Sequence, residues 1–197
     1  MLPVFASNRL DSIIVYTAFF IWLLPEVLSL FTDARGRDLQ VHDRASSLVL
    51  LFCLWLGIFV SINIAFIVPS FAIPWHRTSL FALGIFLMVV GVAFRWYAIR
   101  VLGKYFTRRV AVQPGQTVVE NGPYHWIRHP SYSGALLTIF GLGLALTNWL
   151  SLIAVVAITF VGYFYRVSVE EKTLVEALGE PYCQYMKRTK RFIPFVY

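Results

Sequence analysis

Residues 134–165 form an apolar run too long to cross a bilayer once. As one helix the run would measure about 48 Å, against a hydrocarbon core of roughly 30 Å. It is interrupted at Thr147-Asn148-Trp149. Arms of roughly 20 and 25 Å on either side make a helical hairpin, slightly short for the bilayer it enters. The hairpin matters for chemistry because it returns Arg166 to the side on which His129 starts. A single crossing would part them.

Three earlier runs, residues 12–31, 46–68 and 79–99, each reach the length of about 20 residues that a crossing needs. The first is long enough to span and is followed by further spans, so it reads as a first helix and not as a cleaved signal. With the hairpin, these runs predict an all-α membrane protein of five transmembrane helices, and 58% hydrophobic residues agree with that class. Gly84 and Gly91 share a helix face in the third run and suit close helix packing.

The charges support this count. Arg35, Arg37, Arg44, Arg100, Lys104, Arg108, Arg109, Arg128, Arg166, Lys172, Lys187, Arg188, Lys190 and Arg191 fall on one side, and Arg9 and Arg77 on the other. Arg95 lies within a span, where it can snorkel. Such a bias predicts an external N-terminus and a cytosolic C-terminus. One crossing in place of the hairpin would leave an even split. The net charge of +7 therefore speaks of orientation. No basic stripe interleaved with aromatics suggests nucleic acid. Cys53, Cys183 and four scattered His have no metal-ligand spacing, so no metal is expected.

Residues 101–124 contain turn signals at Gln113-Pro114-Gly115 and Asn121-Gly122-Pro123, and read as an ordered cytosolic loop. After Tyr165 the spacing of Val169, Leu174, Val175 and Leu178 predicts an amphipathic helix. Gly179 can end it, and Pro181 can start a short second one. The chain divides into a three-helix membrane scaffold, 1–100, and a catalytic region, 101–197, made of the loop, the hairpin and the C-terminal helices.

Two polar segments flank the hairpin: Arg128-His-Pro-Ser-Tyr-Ser-Gly134 and Arg166-Val-Ser-Val-Glu170-Glu171. Arg166 and Glu170 are four apart and share a helix face. They can form a plain salt bridge at a membrane edge or the charged part of a site. Glu171 is expected to point elsewhere, into solvent. His129-Pro130 suits a helix start, and Tyr124, Trp126 and Tyr132 suit an interfacial aromatic belt. Their gathering at one membrane edge favours an active site.

The run Gly122-Pro-Tyr-His-Trp-Ile-Arg-His-Pro-Ser-Tyr-Ser-Gly134 resembles the signature of the isoprenylcysteine carboxyl methyltransferase family. So do Arg166-x3-Glu170-Glu171, Gly179-Glu-x-Tyr182-x2-Tyr185 and Pro194-Phe195. The resemblance covers residues 104–197. The His-Pro-x-Tyr-x-Gly and Glu-Glu elements are shared with phospholipid methyltransferases and, more loosely, with sterol reductases. The resemblance implies S-adenosylmethionine as methyl donor, with S-adenosylhomocysteine as product, bound without a dinucleotide-type fold. It implies a prenylated cysteine or prenylated protein C-terminus as acceptor, reached within the lipid bilayer. By the same resemblance the backbone of Gln116, Thr117, Val118 and Val119 lines the cofactor. Tyr124, His129, Pro130, Ser131 and Tyr132 continue its pocket, Glu170 meets its ammonium, and Arg166 holds the acceptor carboxylate as the catalytic and substrate-binding residue. Gln116 stands where some relatives have His, and the chain is short of the extra N-terminal helices of animal forms. The expected location is the cell membrane in a prokaryote and the endoplasmic reticulum in a eukaryote.

Carboxyl methylation suits these residues. A carboxylate is already ionised at neutral pH and attacks without a base. An amine acceptor must first lose a proton, and Arg166 is a poor neighbour for an ammonium. The competing readings are a phospholipid amine N-methyltransferase, a sterol-reductase-like membrane enzyme that uses a nicotinamide cofactor, and a non-enzymatic membrane scaffold.

Overall fold

Among the described residues there are seven α-helices: α1 (Val4–Ser7), α2 (Arg9–Thr32), α3 (Ala45–Ile67), α4 (Arg77–Leu102), α5 (Pro130–Ala145), α6 (Trp149–Leu178) and α7 (Glu180–Arg188). The computed structural model describes residues 2–32, 40–43, 45–107 and 110–194. Arg35, Arg37, Arg44, Arg108 and Arg109 from the charge count, and Phe195 from the tail motif, lie outside the described residues. One departure from an all-helical chain is a small antiparallel ribbon of β1 (Gln40–Asp43) and β2 (Val110–Val112). Strands of four and three residues are too short to show an alternating pattern, and their partners lie far apart in sequence.

Among the described residues, three helices are long and apolar enough to cross a membrane, Ala45–Ile67, Arg77–Tyr105 and Trp149–Leu178. Pro130–Ala145 is apolar but only 16 residues long, about 24 Å. Phe52, Phe59, Phe86 and Val161 point outward, each more than half exposed. Such an apolar outer face belongs to a membrane protein.

The hairpin forms as its length requires. Helix α5 ends at Ala145, and α6 starts at Trp149. Asn148 caps α6 by accepting a hydrogen bond from the Ser151 backbone N–H at 3.1 Å. Thr147 turns the chain at φ 52°, rare for a β-branched residue. The turn is tied to the α3–α4 connection. Ile73 N–H donates to the Thr147 carbonyl at 2.9 Å, and Asn148 Nδ2 donates to the Val68 carbonyl at 3.1 Å.

The core sits in three layers along the bundle. Val15, Ala65, Phe81 and Ala145 gather at the turn end. Trp22, Ile58, Met88, Ile139 and Val155 fill the middle. Ala135, Tyr163, Val167 and Phe192 close the other end, where the polar segments meet. Helix α6 runs on unbroken from the apolar span into the amphipathic segment. Its 30 residues, about 45 Å, project beyond the bundle. Gly179, at φ 62°, ends it.

Contact between α4 and α5 is set by two glycine pairs, each seven residues apart on its helix. A Cβ on Gly84 would lie 2.6 Å from the Gly141 carbonyl oxygen, and one on Gly91 would lie 2.6 Å from that of Gly134. The helices therefore touch backbone to backbone, antiparallel. The packing role expected for Gly84 and Gly91 holds, with Gly134 and Gly141 as partners. At Gly57, where α3 meets α6, the fit is looser: a Cβ there would meet the Thr159 methyl at 3.1 Å.

Alanine in place of glycine raises helix propensity by about 1 kcal/mol, so only a real clash produces a net loss. Gly91→Ala is expected to destabilise by about 1–3 kcal/mol, because backbone atoms cannot give way as a side chain does. Gly57→Ala should be close to neutral. Unfolding of both variants in detergent checks this, and equal losses would contradict the backbone contact.

Candidate functional site

Segment 122–129 is shaped by its turn residues. Gly122 adopts φ 57°, and a short 3-10 turn, Gly122–His125, follows with Pro123 near its start. Pro130 then opens α5 at its first position. The C-terminal tail is joined to this segment along the backbone. Arg128 N–H donates to the Lys190 carbonyl at 2.7 Å, His129 N–H to that of Arg191 at 3.1 Å, and Lys190 N–H to that of Trp126 at 3.2 Å. The Tyr185 hydroxyl donates to the Tyr124 carbonyl at 2.6 Å, and Ser133 Oγ donates to that of Phe192 at 2.6 Å.

Glu171 holds this assembly from α6. Its Oε1 accepts from Arg128 Nε at 2.8 Å and lies 3.3 Å from His129 Nε2. Its Oε2 takes the Arg191 guanidinium, at 3.0 Å from Nε and 2.9 Å from Nη2. Glu171 is 4% exposed. This corrects the expectation of a solvated Glu171. Seen along α6 alone, that face looks free, but Arg128 and the tail fold over it. His129 is buried against the same carboxylate, and its ring stacks on Tyr132 at 5.6 Å.

Glu170 takes a different course. Its Oε2 accepts from the Tyr132 hydroxyl at 2.7 Å, and that hydroxyl accepts from Arg166 Nε at 3.4 Å. Arg166 is 2% exposed, and its Nη1 donates to Ser46 Oγ at 2.7 Å and Ser47 Oγ at 2.9 Å on the first turn of α3. Arg95 does more than snorkel: its Nη1 donates to the Ser131 carbonyl at 3.1 Å and so braces the start of α5.

A cleft partly open to solvent lies between residues 105–107, 112 and 116–119, the start of α5, α6 and α7. Gln116, Thr117, Val118, Val119, Tyr124, His129, Ser131, Tyr132 and Glu170 all line it. Pro130 is buried in the α5 start and Arg166 lies behind Tyr132, so neither belongs to the lining. The lining also includes Tyr105, Phe106, Arg128, Thr173, Tyr182 and Tyr185. Arg128, Tyr182 and Tyr185 belong to the sequence motifs and were legible as such, but Tyr105, Phe106 and Thr173 carried no separate signal. Burial, with the Glu170 charge adding to it, pushes the phenols of Tyr124 and Tyr182 well above the usual tyrosine range. Both stay neutral. No cluster of metal-ligating side chains occurs among the described residues.

The profile of the isoprenylcysteine carboxyl methyltransferase (ICMT) family matches residues 82–176. The chain is 33% identical over 116 residues to a protein-S-isoprenylcysteine O-methyltransferase of Saccharomyces cerevisiae, covering 58% of this chain and 48% of that protein. It is 31% identical over 115 residues to protein-S-isoprenylcysteine O-methyltransferase B of Arabidopsis thaliana, covering 57% and 58%. Its fold is similar to that of a eukaryotic intramembrane Ras methyltransferase ICMT, with a TM-score of 0.57 and 26% identity over 79% of this chain and 54% of that one. The chain spans about half the length of the relatives it matches.

Glu171→Gln is expected to cost about 3 kcal/mol, because it leaves two buried or half-buried guanidinium groups without their counter-charge. The exposed Glu176→Gln on the same helix should stay within about 0.5 kcal/mol of the parent. Unfolding in detergent compares them, and a Glu171→Gln variant as stable as Glu176→Gln would contradict the clamp.

Proposed function

We propose that this chain, whose residues 82–176 match the model of the isoprenylcysteine carboxyl methyltransferase family, is a member of that family and an integral membrane methyltransferase. It esterifies the C-terminal carboxylate of an S-prenylated cysteine, free or at the end of a prenylated protein. The observation that carries this is the pairing of Glu170 in the cleft with the buried Arg166 one turn away, joined through the Tyr132 hydroxyl.

The cleft suits S-adenosylmethionine. Aromatic side chains of Tyr105, Phe106 and Tyr124 offer walls for a flat base, and Glu170 offers a carboxylate for an ammonium. Gln116, Thr117, Val118 and Val119 would line it from the loop, with His129, Ser131 and Tyr132 opposite and Pro130 fixing the start of α5. When bound, the group supplies an electrophilic methyl on sulfonium.

The chain's own residues then have two tasks, alignment and exclusion of water. Arg166 orients the acceptor carboxylate, which needs no base because it is already ionised. The Arg166 guanidinium is a poor neighbour for an ammonium, which favours a carboxylate over a phospholipid amine. An acceptor with a prenyl chain explains why the site adjoins apolar helices.

The arrangement in the membrane follows from the same layers. We infer five crossings, with α5 and α6 as the short hairpin. Residues 1–100 serve as scaffold and 101–197 as catalytic region. The N-terminus lies outside and the cleft and C-terminus in the cytosol, by the charge bias of the connecting segments. The membrane is that of a prokaryotic cell or a eukaryotic endoplasmic reticulum.

Transfer of labelled methyl from S-adenosylmethionine should give a base-labile ester on N-acetyl-S-farnesylcysteine and no product on phosphatidylethanolamine. The reverse result would replace this reading with amine methylation. Arg166→Ala should lower turnover about 100-fold while adenosylhomocysteine still binds. Arg166→Lys should recover little, since an ammonium lacks the planar fork. Calorimetry and rates on the same preparation check this. Turnover near the parent rate would remove Arg166 from the mechanism, and loss of adenosylhomocysteine binding would assign it to holding Glu170.

A further inference from the structure

One phenol touches both charged groups that α6 brings to the site. The Tyr132 hydroxyl donates to Glu170 Oε2 at 2.7 Å and accepts from Arg166 Nε at 3.4 Å. Its ring is held on two sides, stacked on His129 with an interplanar angle of 8° and packed against Tyr163 at 5.3 Å. Tyr132 and Glu170 line the cleft, and Arg166 is outside the lining, anchored to Ser46 and Ser47. A hydroxyl fixed in this way has one proton and a set position. It can answer a change of charge on either side only by strengthening or weakening its two hydrogen bonds.

We propose that Tyr132 is a positioning residue that couples the methyl-donor and methyl-acceptor sites, so that each ligand strengthens the binding of the other. This rests on the functional reading above, in which Glu170 holds the donor's ammonium and Arg166 the acceptor's carboxylate. Arg166 polarises the phenol and so strengthens its hydrogen bond to Glu170. That bond draws on the negative charge that Glu170 presents to the cleft. An acceptor carboxylate on Arg166 offsets the guanidinium charge. The phenol then draws less from Glu170, which offers more to an ammonium. Linkage requires the converse effect, by the same factor. No helix has to move. Because one contact of the relay is long, the coupling belongs near the low end of the usual range, about fivefold.

The test is the affinity of the purified full chain for adenosylhomocysteine, with and without saturating N-acetyl-S-farnesylcysteine. In the parent the acceptor should tighten adenosylhomocysteine about fivefold. In Tyr132→Phe, which keeps the ring and both of its packing contacts, adenosylhomocysteine should still bind and the ratio should fall to near one. An unchanged ratio in Tyr132→Phe overturns the proposal, and so does a parent ratio of one. Loss of adenosylhomocysteine binding by Tyr132→Phe without acceptor also overturns it, by showing that Tyr132 serves the donor side alone. A parent that binds no adenosylhomocysteine overturns the proposal together with the functional reading beneath it.

Discussion

Three segments distant in sequence converge on one buried carboxylate. Arg128 and His129 come from the segment before α5, Arg191 from the tail, and Glu171 from α6. A single ion pair taken out of water gains little, because desolvation cancels most of the attraction. Here one carboxylate has both oxygens engaged, and the Arg128 guanidinium also reaches the Met186 carbonyl at 3.1 Å. The cluster fixes which way the tail runs over the cleft. Without it, α6, α7 and the 122–129 segment would be joined by backbone pairing, apolar contacts and the Tyr185 hydroxyl on the Tyr124 carbonyl.

The cluster works because the bundle beneath it is rigid. Helices α4 and α5 meet backbone to backbone at Gly84–Gly141 and Gly91–Gly134, with the Thr138 hydroxyl also against Gly91. That closeness brings Arg95 within reach of the Ser131 carbonyl. The turn end is fixed separately, by Thr147 and Asn148 against the α3–α4 connection. Both ends of α5 are thus held before any ligand is considered. A short helix with fixed ends is a suitable mount for His129 and Tyr132.

Much of this was legible in the chain, and the limits have physical causes. Apolar runs give helices and their approximate ends, and length alone demanded the hairpin at Thr147-Asn148. The facing of Glu171 was misread because one helix shows only its own periodicity. What covers a face is decided by segments that fold back from far away, here Arg128 and Arg191. Arg166 reads correctly as a neighbour of Glu170, but nothing in its surroundings announces Ser46 and Ser47, more than a hundred residues earlier. The ribbon of Gln40–Asp43 with Val110–Val112 fell below the length at which a strand declares itself.

We propose that the methyl donor binds in the cleft lined by residues 116–119, α5, α6 and α7. Amide hydrogen exchange with and without adenosylhomocysteine tests this directly. The expected result is slowed exchange in residues 116–119, 124–132 and 170–185, with the turn end at 68–76 and 146–151 unchanged. Protection confined to the turn end, or bound ligand with no protection at the cleft, would contradict it.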